Sequence, residues 1–108
     1  MKHIAFFFVL FTSFLVTASP AKTFTGTLVD TMCKDNTLAT HPRKCAISCA
    51  KFGYGLKQAD GTFLKFDAEG NARALAALKR STRVQDLKAQ VTGTIENGVL
   101  KVDSIVIR

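Results

Sequence analysis

The sequence has no tryptophan and contains only three cysteines, two histidines and two prolines among its 108 residues. The cysteines form no Cys-x-x-Cys or Cys-x-x-Cys-His motif, which argues against covalent haem attachment and against the usual spacing for disulfide exchange. Acidic residues are also scarce, since eight Asp and Glu stand against 15 Lys and Arg, for a formal charge of +7 with neutral histidine. The main apolar run, residues 4–16, falls short of the roughly 20 residues that a membrane-spanning helix needs.

The first 21 residues follow the order of a secretory signal peptide. A short basic start, Met1-Lys2-His3, precedes the apolar run, and small residues at 17–21 follow it. Cleavage after either Ala18 or Ala21 fits this pattern. The sequence therefore predicts an exported protein, periplasmic or secreted, with residues 1–21 as signal and residues 22–108 as one domain. No stable membrane span is expected after cleavage.

Alternating apolar and polar residues predict five strands in residues 22–108. Each of the two later strand pairs is joined by a turn dipeptide, Asp60-Gly61 or Asn97-Gly98. A glycine inside the first strand, Gly26, indicates a bend, and a slip in the alternation near Asp103-Ser104 indicates a β-bulge. The predicted strands are Thr23–Asp30, Tyr54–Gln58, Thr62–Phe66, Leu87–Glu96 and Val99–Arg108.

Two short helices complete the expected fold. One is predicted over residues 40–52, capped by Thr40 and stopped by Gly53, and the other over Ala72–Lys79, capped by Asn71. Without the first helix, the order of three strands, a helix and a hairpin is similar to that of the OB-fold. We therefore expect a mainly β protein, a small OB-like five-stranded barrel with a cysteine-bearing helix inserted after the first strand. An α+β sandwich with an open sheet is the alternative.

All three cysteines lie between residues 33 and 49. On the predicted helix, His41, Cys45 and Cys49 are spaced four residues apart, which places them on one face, with Cys33 just before it. An odd count in an exported chain predicts one disulfide, from Cys33 to Cys45 or Cys49, and one leftover thiol. The same four residues form a Cys₃His set that is typical of tetrahedral zinc, and its thiolates suit Cu(I) as well.

Two other functions start from different features. A Cys–His pair can supply a nucleophile and a base for thiol chemistry, but no acid that would orient His41 is evident unless Asp30 or Asp35 reaches back. The dense basic run Lys79, Arg80 and Arg83 indicates a surface for an anionic polymer, a nucleic acid or a polysaccharide. Few aromatic residues are available to stack on single strands.

The spacing Cys-x₁₁-Cys-x₃-Cys, followed by Gly53-Tyr54-Gly55, Phe66-Asp67 and Gly70-Asn71, resembles a group of small exported bacterial cysteine-containing proteins of unassigned function. The resemblance implies a signal peptide and a compact domain, but no activity. From the sequence we predict a non-catalytic exported binding domain, which either binds a metal ion, zinc or copper, through its Cys/His cluster or uses the cluster as a disulfide staple. The alternatives are a basic barrel that binds an anionic polymer and a thiol-based redox protein.

Overall fold

The computed structural model describes residues 20–108, so the predicted signal peptide lies almost entirely outside the described residues. These residues form one mainly β unit with a five-stranded antiparallel sheet and two α-helices. The strands are β1 (Lys22–Asp30), β2 (Tyr54–Lys57), β3 (Phe63–Lys65), β4 (Lys88–Glu96) and β5 (Val99–Ile107), and the helices are α1 (Arg43–Ser48) and α2 (Ala68–Arg80). Within this part of the chain, no helix is long and apolar enough to cross a membrane.

The sheet has the order β3-β2-β1-β4-β5, with the first strand at its centre. Residues Lys22–Thr27 pair with β4, and Thr27–Asp30 pair with β2, so β1 changes partner along its length. Gly26 lies at this change, where an added Cβ would collide with the backbone oxygen of Lys57. The mid-strand glycine therefore serves a close approach of two backbones.

Barrel closure is the part of the predicted architecture that the sheet does not show. The edge strands β3 and β5 share no ladder, and one parallel bridge, Phe66 to Leu100, connects the two edges. The buried core lies between the sheet and α2, and its largest members include Phe66, Leu28 and Leu78.

Both turn dipeptides and the bulge are confirmed. Asn97 and Gly98 have φ of 51° and 75°, the left-handed values that a type I′ turn needs. Thr92 pairs with Ser104 and Gly93 with Val102, which leaves Asp103 as the extra residue of a bulge. Ile95, near the end of β4, is 50% exposed although it is apolar.

The prediction of one helix over residues 40–52 was wrong. Thr40 ends a separate 3₁₀ turn, His41 is extended (φ −68°, ψ 115°), and α1 begins only after Pro42. The physical reason is that a proline ring disfavours the helical conformation in the residue before it. Gly53, with φ of 79°, does end the segment, after a further 3₁₀ turn at Ala50–Phe52.

The second helix begins four residues earlier than predicted. Asp67, not Asn71, is its N-cap, since the Asp67 carboxylate accepts a hydrogen bond from the Gly70 amide at 2.8 Å. Asn71 lies inside the helix, where its side-chain oxygen accepts from the Tyr54 amide at 2.8 Å. This contact ties α2 to the start of β2, directly after the cysteine segment.

Candidate functional site

The candidate site is centred on Asp30, the last residue of β1, whose side chain is fully buried. Its Oδ2 accepts a hydrogen bond from the Cys33 amide at 3.1 Å, which caps the 3₁₀ turn Thr31–Cys33. Its Oδ1 lies 2.9 Å from Nε2 of His41, which is only 7% exposed. A buried carboxylate needs partners of this kind to offset the loss of water. Asp30 therefore connects the end of β1 to Cys33 and to His41.

The helix α1 is held in place by contacts outside the cysteine segment. The buried Tyr54 hydroxyl donates to the Ala46 carbonyl at 2.7 Å, and the Arg43 amide donates to the Val84 carbonyl at 2.7 Å. Because Cys45 and Cys49 lie in and at the end of α1, these two bonds fix where their thiols stand. The cluster is thus assembled by long-range contacts rather than by helical spacing alone.

Of the four predicted residues, the structure brings Cys33 and His41 together, whereas within residues 20–108 Cys45 and Cys49 lie outside the group that is close enough to share an ion. The third member of that group is Asp30, and the ligand atoms of Asp30, Cys33 and His41 all lie within 4.8 Å of one another. Cys45 lines the same open cleft of about 610 Å³ as Cys33 and His41, and this cleft leads to solvent. Cys49 lies near this cluster, since its charge is one of the causes that raise the pKa of Cys33.

The electrostatics of the cluster keep two of its thiols protonated. Burial, followed by the charge and hydrogen bond of Asp30, raises the pKa of Cys33 to about 11. The same causes in the same order raise the pKa of Cys49, and Cys45 adds to both shifts. A catalytic or redox-active cysteine needs the opposite surroundings, a positive neighbour that favours the thiolate. Asp30 does orient His41 as a thiol mechanism requires, yet it opposes ionisation of Cys33 and Cys49.

Asp30 is the residue of this cluster that the sequence analysis did not include among the candidate metal ligands or disulfide cysteines. Its position in the sequence was the available signal. Asp30 is an acid at the end of an apolar strand and three residues before Cys33, which is the position of an N-cap. Cys33, Cys45 and Cys49 are all free thiols in the structure, and the disulfide from Cys33 to Cys45 or Cys49 stays a prediction.

The predicted polyanion residues lie away from this cluster, at the end of α2 and in the loop after it. Lys79 and Arg80 are exposed in the last helical turn, where positive charge also complements the helix dipole. Arg83 forms an ion pair with Asp86 at 3.6 Å. These contacts give the three residues ordinary structural roles, and binding of a polymer here stays a prediction.

The comparisons with known proteins do not identify the chain: no family model, curated protein or solved structure matches it.

Proposed function

We propose that this protein is an exported, non-catalytic binding domain that holds one zinc ion through Cys33, His41, Cys45 and Cys49. The observation that carries the proposal is the buried Asp30–His41 pair at 2.9 Å with Cys33 beside it. Histidines that bind metals generally donate their other ring N–H to a carboxylate, which fixes the tautomer and the orientation of the ring. With Nε2–H donated to Asp30, the lone pair of Nδ1 is the one available to a metal.

The donor set favours zinc over copper. Three thiolates and one imidazole form a common tetrahedral zinc shell, whereas Cu(I) is selected by sulfur donors. Zinc binding would also relieve the repulsion that keeps the thiols protonated, because the ion supplies the missing positive charge near Asp30. Copper is the alternative, since the thiolates suit it as well.

The same proposal includes the fold of the domain, the export of the chain and the group of proteins to which it belongs. We infer an OB-like barrel in which the parallel bridge between Phe66 and Leu100 marks the closing seam. In that barrel the segment 31–53 is an insertion between β1 and β2. Export, and membership of the group of small cysteine-containing bacterial proteins, rest on the signal pattern and the cysteine spacing.

Mass spectrometry of the purified, reduced protein tests the proposal. After zinc is added and excess removed, we expect one ion per chain in the native spectrum, and three alkylatable thiols after denaturation. Titration against a chromophoric chelator gives the affinity, and the Cys33→Ser variant should lose most of it. The same titration with Cu(I) compares the two metals.

Two outcomes would contradict the proposal. A protein purified without reductant that is lighter by two hydrogens, with a single alkylatable thiol and no bound ion, assigns the cluster to a disulfide staple. A matched control is Asp35→Asn, because Asp35 lines the same cleft but has a side chain that is 78% exposed. If this variant loses as much affinity as Cys33→Ser, the metal is bound by the exposed loop instead.

A further inference from the structure

A row of side chains crosses β2, β1 and β4 on one face of the sheet and ends at Arg108, directly after β5. Thr27 of β1 pairs with Lys57 of β2 on one side and with Lys88 of β4 on the other. Ala89 pairs with Ile107, and the Arg108 amide donates to the Lys88 carbonyl at 2.8 Å, so Arg108 stands next to Lys88. Directly opposed residues in neighbouring strands point to the same side of a sheet. The row therefore reads Lys57, Thr27, Lys88, Arg108, with three cations.

The cations of this row repel one another, and two of them have a side-chain partner, Asp35 for Lys57 and Gln90 for Arg108. Like charges that face each other across a strand pair destabilise the sheet, and Lys88 and Arg108 are such a pair. Within residues 20–108, the one ion pair made by the row joins Lys57 Nζ to Asp35 Oδ1 at 3.6 Å, and Asp35 is largely exposed. A bound anion would remove this repulsion.

The row borders a cleft of about 490 Å³, which falls within the range of about 300–1,000 Å³ that is common for small-molecule sites. Thr25, Thr27 and Gln58 add hydroxyl and amide groups to the three cations. Leu38, from the segment after β1, and Ala59 form apolar parts of the wall. Such a lining suits a ligand with an anionic end and a less polar body.

The spacing of the cations limits the anion further. Neighbouring strands lie about 4.8 Å apart, so Lys88 and Arg108 are one strand apart, while Lys57 lies two strands, or about 10 Å, from Lys88. One phosphate group can contact Lys88 and Arg108 together, and a second phosphate extends toward Lys57. Arginine and lysine are the usual partners of phosphate oxygens.

We propose that this cleft binds a small molecule that carries a diphosphate, with Lys88 and Arg108 on one phosphate and Lys57 on the other. The site is distinct from the cysteine cluster and from Lys79 and Arg80. It differs from the predicted polymer surface of Lys79, Arg80 and Arg83 because its three cations line a cleft of about 490 Å³.

Amide chemical shifts provide the test, on reduced protein freed of metal because pyrophosphate itself binds zinc. We expect pyrophosphate to change the amide chemical shifts of Thr27, Lys57 and Lys88 up to a saturating concentration. Inorganic phosphate should bind the same residues more weakly. Lys88→Gln should weaken pyrophosphate binding by about tenfold or more, since it removes a charge-assisted hydrogen bond to one phosphate. Arg108→Gln is a second variant at the same phosphate.

The control is Lys79→Gln, which removes the same charge from the exposed end of α2. We expect it to bind pyrophosphate within about twofold of the unchanged protein, because Lys79 does not line the cleft and an exposed charge that makes no direct contact is weakened by salt. Equal losses in the two lysine variants, or shifts centred on residues 79–83, overturn the proposal. So does an oligonucleotide or heparin fragment that occupies the row more tightly than pyrophosphate, since this result assigns it to a polymer.

Discussion

Replacing Asp30 by asparagine tests how the cysteine cluster is built. The change keeps the volume of a fully buried side chain and one oxygen acceptor, but removes the negative charge. In the unchanged protein that carboxylate contacts His41 Nε2 at 2.9 Å and accepts from the Cys33 amide at 3.1 Å. If Asp30 orients His41 and does not itself bind the metal, the variant should bind zinc more weakly but still bind it.

The expected loss can be bounded. Replacing a group that hydrogen-bonds a metal ligand typically lowers metal affinity by about 10–100-fold, or about 1.4–2.7 kcal/mol. A second effect acts in the opposite direction, because the charge of Asp30 is one cause of the raised pKa of Cys33 and Cys49. Its removal lowers both values, so fewer protons have to be displaced when the thiols bind zinc. The net loss at neutral pH should therefore lie toward the lower end of the range.

The assay is a zinc titration against a chromophoric chelator, with an alkylation rate measured as a function of pH to follow the thiols. Asp35→Asn is the matched control, since it removes the same charge from an exposed part of the same cleft. Urea unfolding of the metal-free variants separates a loss of affinity from a loss of fold. We expect the Asp30→Asn variant to remain folded at low urea.

Two results would refute this reasoning. If Asp30→Asn abolishes zinc binding as completely as Cys33→Ser, then Asp30 is itself a ligand and His41 is not oriented in the manner proposed. If zinc affinity is unchanged while the alkylation profile moves to lower pH, the carboxylate acts on the thiols alone and the Asp30–His41 pair has no role in metal binding.

Three further predictions concern stability. Burial and a nearby carboxylate raise the pKa of Cys33 from 9.0 to about 11, so the folded state holds this proton more tightly than the unfolded state. The free energy of unfolding of the reduced, metal-free protein should thus fall as pH rises from about 9 to about 11, and less so in Cys33→Ser, as urea titrations at each pH will show. Tyr54→Phe removes a buried hydrogen bond to α1 and should lower the unfolding free energy by about 1–2 kcal/mol, whereas unchanged stability contradicts the anchoring role. Asp67→Ala removes the cap on the Gly70 amide and should cost about 1 kcal/mol in thermal or urea unfolding, against about 0.3 kcal/mol for the exposed Glu69→Ala.

The strands and turns were predictable because their signals are local. The turn at Asn97-Gly98 needs two residues of positive φ, and few other residue pairs supply them as readily. The bulge at Asp103 follows from a slip in the alternation that any bulge of one residue produces. These features depend on residues adjacent in the chain, so the pattern alone is sufficient.

The helix boundaries were mispredicted where two local signals competed. Pro42 is compatible with either the first turn of a helix or the end of an extended segment. It is extended in the structure, where the next residue, Arg43, hydrogen-bonds through its amide to Val84 in a distant loop. Gly70 is a poor helix former, which pointed to a later start for α2. An added Cβ at Gly70 would meet Val102 of β5, so this glycine is needed for packing.

The cysteines and the histidine of the candidate site were predictable from the sequence, but Asp30 was not. Cysteine and histidine are rare enough here that their clustering indicated the segment, whereas Asp30 looked like a strand end among eight acids. What distinguishes it is burial and a contact across 11 residues to His41, and neither is encoded in spacing. Closure of the sheet is not a local property either, because it depends on how closely the edge strands β3 and β5 approach each other.

The two proposed sites depend on one segment, but not on the same chemistry. Residues 31–42 carry Cys33 and His41 to the cluster and Leu38 to the wall of the anion cleft, and the His41 amide donates to the Leu38 carbonyl at 3.2 Å. The cation row itself lies on the sheet, where register with Thr27 sets it. An absence of zinc binding would therefore remove the proposed function while leaving the diphosphate proposal standing, because the cations of that cleft are placed by strand register and not by the cysteine cluster.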